Sequence, residues 1–178
     1  MIDIFRRLKG LTALPAAALA VTAAVTLWGC SQDECLENGN SLPLAGFFSS
    51  TDTPEAITID SLTIFGLGAP GDSILHDSVR SLDESYLPFR IDTPETTFVI
   101  RYLQGDLGRY HIADTITFRY DICPNFVSAA CGVVYDYRMT EITTTHNVID
   151  SVTCPSGIIT NEDSQNLRIY FRVAEEGD

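Results

Sequence analysis

Cysteine has the widest choice of chemistry of any residue type in this chain, and five are present: Cys30, Cys35, Cys123, Cys131 and Cys154. Cys30 and Cys35 stand five positions apart, where an apolar run gives way to Ser31, Gln32, Asp33 and Glu34. No two cysteines have the CxxC spacing of a zinc or redox clip, and none of His76, His111 and His146 lies at ligand spacing from a cysteine, so no metal site is expected. Each histidine has the chemistry of a general base. None stands in HExxH or beside a GxSxG elbow, and Ser156-Gly157 lacks the leading glycine of that elbow. Asp83-Glu84 and Glu175-Glu176 are adjacent rather than spaced, which suits solvated loop and tail charge better than paired acid and base. Gly66-Leu67-Gly68-Ala69-Pro70-Gly71 matches GxGxxG, but Pro70-Gly71 turns the chain and Ser73-Ile74-Leu75 resumes strand-like sequence. A dinucleotide site needs a helix there to receive the pyrophosphate, so the match reads as a hairpin connection and no cofactor is expected.

The first thirty residues differ from the rest. Arg6, Arg7 and Lys9 precede an uncharged segment, Leu11 to Trp28, rich in Ala, Leu and Val. That is the layout of a secretory signal, basic and then apolar. Leu27, Gly29 and Cys30 resemble the lipobox of bacterial lipoproteins, in which the cysteine sulfur receives a diacylglyceryl group before cleavage; Trp28 is an untidy residue for that motif. Residues 1–29 are thus expected to be a lipoprotein signal peptide, with Cys30 as lipidation site and new N-terminus held at a membrane by several acyl chains.

Cleavage there removes one acid, Asp3, and three bases, changing the net charge from −13 to about −15 and leaving no lysine. Such a surface repels phosphate backbones, so nucleic acid is not an expected partner. Four cysteines remain, and an even number in an exported chain reads as two disulfides. Three pairings are open; Cys35 with Cys131 and Cys123 with Cys154 is preferred, because the first would tie the N-terminal segment to the domain.

Residues 30–41 read as a lipidated N-terminus and polar tether, residues 42–174 as one domain and residues 175–178 as an acidic tail. Period-two alternation dominates the domain. Ile116, Phe118, Tyr120 and Ile122 share one face; Val133, Tyr135, Tyr137 and Met139 oppose Val134, Asp136 and Arg138; Leu167, Ile169, Phe171 and Val173 repeat the pattern. Further strands are expected at 42–49, 61–66, 73–76, 87–91, 96–103 and 145–152. Turns are expected at Thr53-Pro54, Thr93-Pro94, Gln104-Gly105-Asp106, Cys123-Pro124-Asn125 and Pro155-Ser156-Gly157. No window after residue 30 has capped helical periodicity. The expected fold is all-β: an antiparallel two-sheet β-sandwich, immunoglobulin-like in outline.

Asp followed by Ser or Thr and an aliphatic recurs at Ser61, Ser73, Ser78, Thr115 and Ser151. Turn chemistry before a strand explains the pattern. The tripeptides also resemble the O-glycosylation acceptor of Bacteroides-type envelope proteins, which makes those five hydroxyls candidate modification sites.

With its lipobox, Asp60-Ser61-Leu62-Thr63-Ile64-Phe65-Gly66-Leu67-Gly68, Asp72-Ser73-Ile74-Leu75, Cys131-Gly132, Ile149-Asp150-Ser151-Val152 and Asn166-Leu167-Arg168-Ile169-Tyr170-Phe171, the chain resembles an uncharacterised family of small Bacteroidota lipoproteins. The resemblance implies an exported, lipid-anchored β domain and supplies no activity; Cys123 and Cys154 are not part of the pattern. Ser31-Gln32-Asp33-Glu34 resembles the acidic export signal that follows the lipidated cysteine in such proteins. Attachment to the outer membrane with surface exposure is expected, the alternative being a periplasm-facing domain. The expected function is a non-enzymatic binding or structural module whose partner is a glycan or an envelope protein. The alternative is a surface hydrolase of glycans whose carboxylates converge only in the fold. Tyr102, Tyr110, Tyr135 and Tyr137 are candidates for a sugar platform, although tyrosines at strand spacing are more often core.

Overall fold

The structure, a computed structural model, describes residues 41–69, 71, 73–129 and 132–173. Among the described residues, ten strands and one short helix follow in order: β1 (Leu44–Ser49), β2 (Leu62–Leu67), β3 (Ile74–Val79), β4 (Glu84–Tyr86), β5 (Glu95–Tyr102), α1 (Gly105–Arg109), β6 (Ala113–Ser128), β7 (Gly132–Thr144), β8 (Ile149–Thr153), β9 (Ile158–Ile159) and β10 (Gln165–Phe171). They form a four-stranded sheet, β4-β1-β10-β8, and a six-stranded sheet, β3-β2-β5-β6-β7-β9.

Alternation makes this a sandwich. Ala45 and Phe47 on β1 and Leu167, Ile169 and Phe171 on β10 point inward from one sheet; Leu62, Ile64, Phe98, Ile100, Ile116 and Phe118 meet them from the other, all but fully buried. Each of these side chains larger than alanine contributes roughly 1.5–3 kcal/mol by leaving water. Ring contacts cross the interior: Tyr102 meets Phe171 edge-on at 6.5 Å between centroids, and Phe89 stacks on Tyr120 at 4.7 Å.

Four expectations are corrected. The first and last strands, β1 and β10, run parallel, so the sandwich is not wholly antiparallel. Their ends are far apart in sequence, and no hairpin dictates their direction. Residues 87–91 form no strand, although Leu87 and Phe89 are buried in alternation as the pattern required; Pro88 has no N–H for a ladder, and the Arg90 amide is taken by Thr96 Oγ1. Residues 145–148 are loop, and strand resumes only at Ile149. Cys123-Pro124-Asn125 is not a turn: β6 continues to Ser128, with Pro124 opposite Tyr135. Pro124 is tolerated because β5 pairs with β6 only as far as Arg119, so no described strand on that side requires its missing N–H.

A one-residue register shift between Arg119 and Tyr120 leaves Thr140 of β7 unpaired with β6. Phe118 pairs with Ile142 on one side of the shift and Tyr120 with Met139 on the other, so the inward parity of β7 changes from even to odd numbers.

Candidate functional site

Asp114 lies near the start of β6, on the same face as Ile116 and Phe118, and has no exposed surface. An ionised carboxylate in an apolar interior is costly unless its oxygens are satisfied. Five donors satisfy it. Tyr102 Oη donates to Oδ2 at 2.9 Å, joined by the amides of Val148 at 2.8 Å and Ile149 at 3.0 Å. Thr145 Oγ1 and the Asn147 amide both donate to Oδ1 at 2.8 Å. Burial alone would raise this carboxyl, but the hydrogen bonds from Ile149, Asn147, Val148 and Thr145 outweigh it and hold it below its ordinary range. Tyr102 moves strongly upward, through burial first and then through the negative charge and hydrogen bond of Asp114. The pair is therefore spent on pinning the β7–β8 loop to β5 and β6, and neither group is poised to exchange protons near neutrality.

Above this node, at the end of the sandwich where β5 and β10 finish, opens a cleft of about 510 Å³. Ile57, Ile59, Leu107, Val148 and Phe171 give it apolar walls, and Asp60, Gln104 and Arg172 supply polar groups. Apolar walls with a few polar groups are the usual composition of a small-molecule site. Asp60 is the only carboxylate among the lining residues, whereas glycoside hydrolysis in its common form needs two. Arg172 is already engaged, donating from Nη1 to the His146 carbonyl at 2.8 Å and from Nε to Asp150 at 3.4 Å.

The remaining candidates are dispersed. His76 Nε2 lies 2.9 Å from Ser85 Oγ, a serine–histidine contact that no sequence spacing announced. Ser85 is only 3% exposed, and its hydroxyl also donates to the Tyr86 carbonyl. A substrate could not reach it, and the contact instead joins the edge strand of one sheet to the edge strand of the other. His111 and His146 are exposed in loops, away from any such partner. Among the described residues no cluster of three His, Cys, Asp or Glu side chains could hold a metal ion. Gly68 and Gly71 take left-handed backbone in the β2–β3 connection, closed by the Gly66 amide to the Ser73 carbonyl at 3.0 Å, as expected of a hairpin.

Cys123 and Cys154 carry free thiols and do not pair with each other, a correction to the expected bridge. Each sulfur contacts an oxygen two residues away: Cys123 the Asp121 carbonyl, Cys154 the Ser156 hydroxyl. Cys30, Ser31, Gln32, Asp33, Glu34, Cys35 and Cys131 lie outside the described residues. Of the candidate acceptors, Ser73 and Ser78 are exposed on or beside the edge strand β3, whereas Ser61, Thr115 and Ser151 are half-buried. Of the candidate sugar platform, Tyr102 and Tyr137 are core residues, Tyr135 is half-buried and Tyr110 is 68% exposed. Burial pushes the Tyr137 hydroxyl up to about 12.

Fold and site together define a β-sandwich with an acid-braced cleft at one end. The chain belongs to a family of unknown function, DUF6452, which matches residues 61–171, from the start of β2 to the end of β10. No curated protein and no solved structure matches it.

Proposed function

We propose that this protein is a lipoprotein of a bacterial outer membrane, anchored through acyl chains on Cys30 and serving as a non-enzymatic binding or structural module, with the domain displayed at the cell surface. The observation that carries the reading is the uncharged run Leu11–Trp28 behind Arg6, Arg7 and Lys9, ending at Gly29-Cys30. The fold's polarity supports it. Ser41, the first residue of the described domain, is buried and donates to Asp136 Oδ1 at 3.1 Å, near the start of β7. The cleft lies by the loop that follows Thr144, about 27 Å further along that strand. The chain leading back to Cys30 thus leaves the domain at the end opposite the cleft.

A Cys35–Cys131 disulfide belongs to the same reading, because Ser41 sits six residues after Cys35 and its partner Asp136 five after Cys131. Glycosylation is proposed at Ser73 or Ser78, the two exposed acceptors. The intact mass of the protein recovered from membranes tests these points together. Loss of residues 1–29 with a gain of acyl chains, abolished by Cys30→Ser, is expected; an unmodified full-length mass overturns the reading. Protease treatment of intact cells should remove the domain, and protection until the envelope is broken would place it facing the periplasm.

A further inference from the structure

The β6–β7 hairpin outruns its sheet. From Asp121 to Ser128, β6 has only β7 as a described strand partner, and from Gly132 to Asp136, β7 has only β6. Pro124 pairs with Tyr135 and Phe126 with Val133, so alternation gathers these four side chains on one face of a two-stranded arm. Tyr135 packs against the core at the base of the arm, whereas Phe126 is 67% exposed and Val133 47% exposed toward the tip. The sequence from Ile122 to Tyr135 contains no charged residue, in a chain of which 20% is charged. Another run of the same length, residues 38–51, includes β1, whose Ala45 and Phe47 are buried in the core. In the arm Val134 is buried and Tyr135 packs on the core, but Phe126 and Val133 point outward instead. An exposed ribbon with open edges normally carries charges that keep other chains away.

A lipid surface fits this arm. Its uncharged tip would enter the interfacial layer without desolvating a charge, and a tyrosine at its base suits the headgroup level. The first charged group on β7, Asp136, is buried and takes hydrogen bonds from Ser41 and Asn125, so it does not face the bilayer bare. Ser41 also ties the arm to the chain that leads back to Cys30. Those eleven residues extend at most about 36–40 Å, and the arm from Asp136 to Gly132 covers about 13 Å, so a membrane holding Cys30 lies within reach of the tip.

We propose that Phe126 and Val133, at the tip of the β6–β7 arm, insert into the interfacial layer of the membrane that anchors Cys30, fixing the orientation of the domain. This inference rests on the lipoprotein reading. Its test uses the mature acylated protein, which loses the chain's one tryptophan, Trp28, with residues 1–29, so that the sole indole is the one introduced by Phe126→Trp, Val133→Trp or Tyr110→Trp, on neutral phosphatidylcholine vesicles. Co-flotation, a blue-shifted emission from positions 126 and 133, and at least twofold quenching of both by brominated acyl chains are expected, with position 110 unchanged. Co-flotation without quenching at 126 and 133 overturns the insertion and leaves the anchor standing. Failure to float overturns the anchor and the insertion together. Unquenched protein that forms dimers dispersed by Phe126→Asp assigns the face to a second copy of the chain and equally overturns it.

Discussion

Tyr102 donates its hydroxyl to Asp114 Oδ2 across 2.9 Å inside the sandwich, and the same carboxylate receives three successive amides, Asn147 to Ile149, where the β7–β8 loop enters β8. One side chain therefore closes the end of the domain below the cleft. Asp114→Ala would leave a buried hydroxyl and three amides without their acceptor, and should cost about 3–5 kcal/mol. Asp114→Asn keeps the volume but replaces one acceptor oxygen with a donor, for a loss of about 2–3 kcal/mol. Because the native carboxyl lies below its unfolded value of about 3.9, its contribution is complete above that pH and is lost as pH falls through the lower native value. Urea midpoints should thus separate wild type from Asp114→Asn at pH 7 and draw them together toward pH 3. A constant separation would contradict the role given to the charge.

The His76–Ser85 contact predicts a different pH response. Burial lowers His76, so its titration followed by NMR should fall below 6.5. The unfolded chain then takes up a proton first, and the stability linked to His76, complete above pH 6.5, declines as pH falls through the native value. Ser85→Ala removes the bond between the sheet edges at a cost of about 1 kcal/mol. It should leave the His76 titration depressed, because burial rather than the hydroxyl causes the shift; a return to 6.5 in the variant would reverse that assignment.

How much of this was legible in the sequence depends on whether a signal was local. The alternation in Ile116, Phe118 and Tyr120 marked a buried face, and the structure buries all three. Asp114 has the same parity, and an acid in register with that face was the available sign of a buried, fully bonded carboxylate. Its partners at 145–149 lie more than thirty residues away, and nothing local announced them. The register shift at Thr140 and the end of β5 pairing at Arg119 were equally hidden. The end of β5 pairing explains why Pro124 sits within a strand and why Val133, on the inward face by parity, is exposed beyond the core; Val134, of opposite parity, is buried. The parallel pairing of β1 with β10 and the cleft at their end arise from long-range topology that no window of sequence contains.

Thiol chemistry separates the expected disulfide framework from the structural one. Cys123 and Cys154 are free, and a Cys35–Cys131 bridge is proposed, so denatured and unreduced mature protein should show two reactive thiols. None would restore a bond between Cys123 and Cys154. Four would remove the Cys35–Cys131 bridge, leaving Ser41 and Asp136 as the described side-chain tie between the start of the domain and β7.

Two glycines test which contacts of the sandwich are rigid. A Cβ at Gly46 on β1 would overlap the side-chain amide of Gln165, which is exposed and free to swing aside. Gly46→Ala should therefore cost less than about 1 kcal/mol. A Cβ at Gly108 in α1 would meet the carbonyl of Leu103, a backbone group whose own amide donates to the Ser61 carbonyl at 2.7 Å. Relieving that overlap means moving the residue that follows Tyr102, and with it the hydroxyl that reaches Asp114. Gly108→Ala should lower stability by about 2–3 kcal/mol, from crowding and from the weakened Tyr102–Asp114 bond. Combined with Asp114→Asn, the loss should fall short of additivity by about 0.5–1 kcal/mol, because part of what Gly108→Ala disrupts is already gone. Strict additivity in urea unfolding would show that the turn at α1 and the carboxylate beneath the cleft act independently.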